Sequence, residues 1–445
     1  MRSRDLCANN DYAKKFLKMV KANVIGPQGI KLQCQFMGSN GKPDLNDQLL
    51  VETQWKTWGK KRNCSTSKKL SWVDVQNLVI ETVARDGEVL IQKIRRKRDG
   101  FFLKLRVMEC DHLDVNHNEV LSAGRRIVMG VELDQYDEPI AYWLTNVHPG
   151  DYGRGLRVKR NRVPASDIIH LFITERPGQV RGIPWMHSAI RRLNMLGGYE
   201  EAELIAARVG ASKMGFYTSG DGDGYTADDV EVDGTSPNQE YDDGVLVKNA
   251  EPGTFEQLPD GMGFTPFDPQ HPTAAFADFT KAVLRGASSG LNVAYNTLAN
   301  DLEGVNFSSI RSGVLEEREQ WRSIQNWLSS SLHDDLYPEW LELENTGGVL
   351  SMLPADKIKT KFSEIAWQPR GWQWVDPAKD VKSNAEEYDL GTTSLTEIAA
   401  AKGKDLNDIF KQRRADLDLA ATYGLTVGVV NQQIEITEAK PDGDA

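Results

Sequence analysis

Residues 184–212, PWMHSAIRRLNMLGGYEEAELIAARVGAS, decide how this chain folds. The stretch opens on a proline and is rich in Ala, Glu, Arg and Leu. Its composition predicts one helix of about 28 residues, about 42 Å long at 1.5 Å per residue. Gly197-Gly198 lies inside it. A glycine pair costs an exposed helix about 2 kcal/mol relative to alanine. The pair therefore marks either a kink or the close approach of a neighbour, with Ala206 and Ala207 as further small packing positions.

Two more long helices are expected downstream. One starts at Pro272, a residue well suited to a helix start, and runs to about Ser289 with Phe276, Phe279, Val283 and Ala287 as its apolar stripe. The other runs from about Ser308 to Leu336, striped by Ile310, Val314, Trp321, Ile324, Leu328 and Leu332, and Pro338 ends its regular run. Between the first two helices, residues 219–260 carry twelve Asp or Glu against one cation, Lys248, with Gly244 to Val247 as a short strand. Asp228, Asp229, Asp242 and Asp243 are its most concentrated charges. Residues 291–306 are short of charge and hold Asn292, Asn296, Asn300 and Asn306. Together with Thr297, the last three can exchange hydrogen bonds without bringing charge. Lys281 and Arg285 sit one turn apart on one helix face, with Asp278 beside them.

The first 180 residues are expected to form an α+β region. Tyr12, Phe16, Val20 and Val24 repeat at helical spacing after an Asn9-Asn10-Asp11 cap, and Gly26-Pro27 stops the run. Ile30 to Phe36 alternates as a strand, and residues 38–47 are loop. A helix starts at Ser71, where Asp74 gives a capping-box spacing, and Asp86-Gly87 ends it. Val89–Arg96 and Phe101–Met108 flank the turn Asp99-Gly100. Arg126–Leu133 and Ile140–Thr145 form a second such pair. Toward the C-terminus, Trp367, Trp372 and Trp374 suggest an aromatic surface, residues 377–424 two or three short helices, and residues 435–445 disorder.

Length and charge narrow the function classes. The chain has 445 residues and a net charge of −11. That length suits two to four domains. No run of about 18 apolar residues is present, so no membrane span is expected. The N-terminal residues lack the apolar core of a secretory signal. Cys7, Cys34, Cys64 and Cys110 are far apart, which argues against a zinc ribbon or redox pair and suits a reducing cytosol. There is neither a phosphate-binding loop nor a nucleophile elbow, so neither ATP hydrolysis nor any cofactor is expected. Asp111, His112, Asp114 and His117 are the densest metal-like cluster, and they carry the competing reading, a metal-dependent DNA-processing enzyme. Two basic runs, Lys93–Arg98 and Arg154–Arg162, suit phosphate contact.

Three blocks of sequence resemble the lambda-type portal proteins of tailed phages. The first is Arg2-x-Arg4-x-Leu6-x-x-Asn9-Asn10 with Ala13 and then Asn23-Val24-Ile25-Gly26-x-x-Gly29-Ile30. The second is His170-Leu171-Phe172, Arg176-Pro177-Gly178-Gln179-x-Arg181-Gly182-Ile183-Pro184, Tyr199-Glu200-Glu201-Ala202-Glu203 and Ala206-Ala207-Arg208. The third is Asp376-Pro377-x-Lys379-Asp380 with Gly391-x-x-Ser394. The resemblance implies a non-enzymatic ring subunit, commonly one of twelve, set at one capsid vertex of the virion after assembly in the host cytoplasm. It implies partners as well: the terminase, the major capsid protein and scaffold, head-tail joining proteins, and double-stranded DNA passing through without sequence specificity. Mapped onto this chain, residues 1–187 would be wing, 188–218 the first stem helix, 219–268 the acidic clip, and 269–290 the second stem helix. Residues 291–306 would be the channel loop, 307–376 a long helix returning to the wing, and 377–445 crown and tail. Lys281 and Arg285 would line the stem channel, and the four clip aspartates would dock a partner.

Overall fold

The structure, a computed structural model, describes residues 2–38, 41–98, 100–150, 158–211, 215–219, 239–242, 245–248, 262–266, 276–303, 307–372 and 377–425. Helices α1 (Arg2–Asn9) and α2 (Asp11–Val20) lead through a π-turn to strand β1 (Lys31–Cys34). Helices α3 (Leu45–Trp58), α4 (Lys61–Cys64) and α5 (Trp72–Asp86) come next. Then follow strands β2 (Glu88–Arg98), β3 (Phe101–Met108), β4 (Glu119–Val120), β5 (Arg126–Val128), β6 (Val131–Leu133), β7 (Pro139–Thr145), β8 (Arg160–Pro164) and β9 (Ile168–Phe172). Helix α6 (Ile190–Ala211) is followed by β10 (Gly215–Ser219), β11 (Gln239–Asp242), β12 (Val245–Lys248) and β13 (Met262–Pro266). Helices α7 (Phe276–Leu291), α8 (Tyr295–Ala299) and α9 (Phe307–Leu328) precede a second π-turn (Ser329–His333). The chain ends with α10 (Asp334–Gly347), α11 (Ala355–Lys361), β14 (Ile365–Gln368), α12 (Pro377–Asp389), α13 (Leu395–Ala401) and α14 (Leu406–Thr422). This is a mixed α+β chain. Among the described residues no helix is long and apolar enough to cross a membrane.

Packing groups the chain into two compact units. The first comprises residues 1–21, 79–91 and 107–321, the second residues 22–78, 92–106 and 322–445. The sequence boundary at residue 187 does not coincide with this division.

In the first unit a five-stranded antiparallel sheet runs β4-β5-β6-β7-β8. Its apolar face, with Val131, Leu133, Tyr142 and Leu144, closes on Leu90, Met108, Leu113 and Ile168. The expected single strand 126–133 is two strands. Met129 and Gly130 both have positive φ (49° and 85°), which folds the chain back on itself between β5 and β6. Helix α2 is capped by Asn10, whose side-chain oxygen accepts from Ala13 N at 3.0 Å.

The second unit is built on aromatic rings. Trp55, Trp58, Trp72, Tyr337, Trp340 and Trp367 lie with centroids 4.8 to 6.3 Å apart. Trp367 therefore stands half-buried against this cage, Trp372 is half-buried with its Nε1 donating to Asn23 Oδ1 at 3.1 Å, and Trp374 lies outside the described residues. His333, fully buried, packs edge-on to Trp72 and against Trp367. The long helix does not stop at Pro338. Proline enters one turn beyond the second π-turn, where Asp334 N bonds back to Ser329 O and the regular ladder is already interrupted. The Ser71 cap is present, with Ser71 N and Oγ both donating to Asp74 at 2.9 and 2.7 Å. Helices α1, α3, α4, α8 and α11 have no counterpart in the sequence-based reading. The C-terminal helices α12, α13 and α14 match it, while residues 435–445 lie outside the described residues.

Candidate functional site

The predicted long helix is shorter than its sequence suggested. Residues 185–189 turn, and α6 begins at Ile190. It then runs without interruption through Gly197 and Gly198. Helix α7 pairs with it. Ser188 Oγ donates to Gly290 O at 2.8 Å, and a Cβ on Gly286 would overlap the Arg192 guanidinium. Tyr199 stacks on Phe276 at 5.7 Å and meets the edge of Phe279 at 4.9 Å. Leu193, Leu196, Leu284, Ala287 and Leu291 are buried. The α7 stripe is rotated from the predicted one, since Phe279 is 49% exposed.

Among the described residues, the opposite side of α6 is bare. Met195 (64% exposed), Gly198, Ala202 and Ile205 (52% exposed) lie on it at alternating spacings of three and four. That spacing is the rhythm of a seam along which a second helix lies. Of the expected packing positions, Gly198 is on this seam, while Gly197, Ala206 and Ala207 are half-buried at its edge. A Cβ on Gly198 would meet nothing within 4 Å. Met195, Ala202 and Ile205 were missed by reading composition, and their signal is the three-four spacing counted from Gly198.

The segment expected as a free uncharged loop is folded. Residues 295–299 are the helix α8, and Leu298 and Val293 are buried. Ala294 N donates to Glu317 Oε2 at 3.2 Å. Asn292 and Asn300 both have positive φ (54° and 60°), a backbone state asparagine tolerates. Part of the asparagine content is thus a backbone requirement. Asn300 Oδ1 also accepts from Lys15 Nζ at 3.4 Å. Asn296 and Thr297 are half-buried, and Asn306 lies outside the described residues. Lys281 faces Asp301 and Glu303, both at 3.8 Å, rather than Asp278. Arg285 lies over the Tyr295 ring at 5.5 Å. The Tyr295 hydroxyl donates to Asp301 at 2.8 Å. Burial and that bond push its pKa up to about 12. The two cations therefore border α8 in a charge-balanced cluster.

The acidic stretch contains the antiparallel pair β11–β12 and is flanked by the antiparallel pair β10–β13. Val245 to Lys248 matches the predicted short strand. Asp242 ends β11 opposite Val245, whereas Asp228, Asp229 and Asp243 lie outside the described residues.

The Asp111–His117 residues do not converge. Asp111 binds Arg4, and His112 Nδ1 lies 2.9 Å from Thr145 O. Asp114 binds Arg160, while His117 packs on Trp143 at 5.2 Å. Asp111 does meet Glu109 and His148, forming an acid–histidine group to which Arg4 supplies a cation. The basic run 93–98 is structural in part. Lys93, nearly buried, pairs with Glu339 at 2.9 Å and Asp335 at 3.5 Å, and Lys97 lies over Phe102 at 5.0 Å. In the other run, Arg160 and Arg162 pair with Asp114 and Glu132.

The block from Arg176 to Pro184 is held by Glu88, which sequence reasoning did not single out. Glu88 accepts from Arg181 Nε at 2.7 Å and Gly182 N at 2.9 Å, and meets His170 Nε2 at 2.9 Å. Burial alone would raise its pKa, but the bonds to His170 and Arg181 outweigh it and hold the carboxyl at about 2. Arg181 also donates to the carbonyls of Met129 and Cys110. Trp185 N donates to Ala84 O at 3.1 Å. Asn10 Nδ2 reaches Leu193 O, and the Tyr12 hydroxyl reaches Glu200, each at 3.4 Å. Two of the sequence blocks singled out for family resemblance thus meet at the base of α6.

Among the described residues, a paired-helix arm with an exposed apolar seam is rooted in an α+β base. A model of the phage portal proteins of the lambda family matches residues 1–325, and the chain belongs to that family. It is 36% identical to a probable portal protein of Halomonas phage phiHAP-1, over 99% of this chain and 84% of that one. It is 18% identical to portal protein B of Escherichia phage lambda, over 93% of this chain and 82% of that one. Among solved structures, a chain of the neck of an empty gene transfer agent particle aligns with a TM-score of 0.44 at 16% identity, covering 91% of this chain and 92% of its own.

Proposed function

We propose that this chain is the subunit of a ring that occupies one capsid vertex and conducts double-stranded DNA during packaging and ejection.

 Twelve is the copy number that the family resemblance implies. In this reading the ring receives the terminase, nucleates head assembly with the major capsid protein and scaffold, and later seats the head-tail joining proteins. Packaging energy comes from the terminase, and the chain itself catalyses nothing. Residues 1–187 serve as wing, α6 and α7 as stem, the acidic 219–268 segment as clip, α8 and its flanks as the channel border, and residues 377–445 as crown.

The observation that carries this reading is the bare seam Met195, Gly198, Ala202 and Ile205 on α6. Apolar area left in water favours association by about 25 cal/mol per Å² once covered. A neighbouring copy in a closed ring covers the same seam on every subunit. Clip aspartates of one sign steer a basic partner and make its docking salt-sensitive. The test is native mass spectrometry and negative-stain imaging of the purified chain beside Met195→Glu/Ile205→Glu. Rings with an axial hole are expected for the parent and smaller species for the variant. A parent that stays monomeric at micromolar concentration, or a variant that assembles as the parent does, would sink the reading.

A further inference from the structure

We propose that residues 56–69, with Arg106 beside them, form a platform for the phosphate backbone of duplex DNA, separate from any channel. Residues 53–73 hold six cations, Lys56, Lys60, Lys61, Arg62, Lys68 and Lys69, and no carboxylate, in a chain whose net charge is −11. All six side chains are exposed, and so is Arg106. This local reversal of sign is the electrostatic footprint of a polyanion site.

The platform is held rigid from beneath. Trp72 N donates to Gly59 O at 2.8 Å, which closes the base of the loop. Asn63 Nδ2 donates to Thr57 O at 2.7 Å, and Cys64 Sγ lies 3.6 Å from Gly59 O and 3.5 Å from Leu70 O. Thr66 N donates to Leu105 O at 3.0 Å, so the loop runs alongside the strand that carries Arg106. Lys104 Nζ donates to Arg62 O at 3.0 Å. Trp58, Cys64 and Trp72 are buried under it, and Trp58 Nε1 donates to Leu103 O at 2.8 Å. The cations are thus presented on a surface that is already ordered, which lowers the entropy cost of binding.

The chemistry selects the partner. Protein interfaces draw their affinity from apolar and aromatic anchors. Among the described residues, none of the large exposed hydrophobic side chains lies within 53–73 or 104–106. Single-stranded nucleic acid is gripped by exposed aromatic rings on which bases stack. Trp55, Trp58 and Trp72 are all buried. What is left is a surface dominated by cations, with Glu52 beside Lys56 and Asp74 beside Lys61 at its margins, and these cations suit a duplex backbone, where releasing counterions supplies the affinity and no base is read.

This inference stands independently of the ring. The test uses the full chain and labelled random-sequence duplex DNA, followed by fluorescence anisotropy from about 50 to 200 mM salt. Lys60→Gln/Lys61→Gln/Arg62→Gln/Lys69→Gln is expected to bind about tenfold or more weakly, with a salt slope shallower by about three. The charge-retaining Lys60→Arg/Lys61→Arg/Lys69→Arg is expected to bind like the parent. Native mass spectrometry of each variant reports assembly separately, so loss of the ring and loss of the platform are told apart. No binding by the parent, or an unchanged slope in the four-site variant, would overturn the proposal. So would equal or tighter binding of oligo-dT, or displacement of the duplex by poly-glutamate at matched charge.

Discussion

Gly182 stands against Gly87 so closely that a Cβ on either would collide with the other segment's backbone. A Cβ on Gly87 would lie 2.5 Å from the Ile183 carbonyl carbon and 2.6 Å from Pro184 N, and Gly87 has φ +94°. Backbone on both sides cannot step aside. Gly87→Ala combines left-handed strain of about 1–2 kcal/mol with an overpacking cost of about 1–3 kcal/mol. A loss of about 3 kcal/mol is expected in chemical denaturation, and a loss under 1 kcal/mol would contradict the close approach.

Removing Glu88 leaves the mostly buried Arg181 without its carboxylate. Glu88→Ala is expected to cost about 3–5 kcal/mol. The pH dependence has a definite sign. The carboxyl's pKa falls from 4.5 to about 2 on folding. Its contribution is therefore complete above pH 4.5 and is lost as pH falls toward 2. The stability gap between the parent and Glu88→Gln should narrow over that range, and a constant gap would speak against the ion-pair account.

His333 is the opposite kind of titrating group. Its Nδ1 lies 3.3 Å from Leu328 O, so that nitrogen carries the hydrogen, and Nε2 has no partner among the described residues. Burial lowers its pKa from 6.5 to about 4. The unfolded chain takes up the proton first, so stability is full above pH 6.5 and declines as pH falls toward 4. The total is about 3 kcal/mol at 1.36 kcal/mol per unit. His333→Leu should flatten this part of the stability profile, and an unchanged profile would assign it to other groups.

Asn300 separates a backbone role from a DNA-facing one. At φ 60°, Asn300→Gly is expected to be nearly neutral, and Asn300→Ala to cost about 1 kcal/mol. If α8 borders the DNA path, Asn296→Lys/Asn300→Lys should alter packaging or DNA retention with the ring intact. Intact rings with normal packaging and retention would place α8 away from DNA.

Local signals in the sequence were legible where one residue dictates geometry. Ser71 with Asp74, the turn at Gly100 and the Asn10 cap all act within four residues, and each is found where expected. Helix α3 was not legible, because it buries Gln48 with Val51, Trp55 and Trp58 while Leu45 and Leu49 stay exposed, which blurs its apolar stripe. The aromatic cage joins Trp55 to Trp340 and Trp367, which lie hundreds of residues further along the chain, and no spacing rule connects them. For the candidate site, the paired helices were visible from composition. The face of α6 left bare was not, since it depends on where Tyr199 and Leu196 find partners on other elements. The asparagines of 291–306 were read as uncharged contacts, though Asn292 and Asn300 are tied to left-handed backbone.

The aromatic cage gives the molecule a built-in optical reporter. Five of its eleven tryptophans, Trp55, Trp58, Trp72, Trp340 and Trp367, are crowded into one unit, with Trp55 within 4.8 to 5.9 Å of each of the others. Indoles that close couple their excited states and hand energy to one another. Emission and near-ultraviolet dichroism are then dominated by that unit, while Trp143, Trp185 and Trp321 in the other contribute as isolated rings. A melting curve followed by light would trace one half of the molecule, and one followed by heat capacity would trace both.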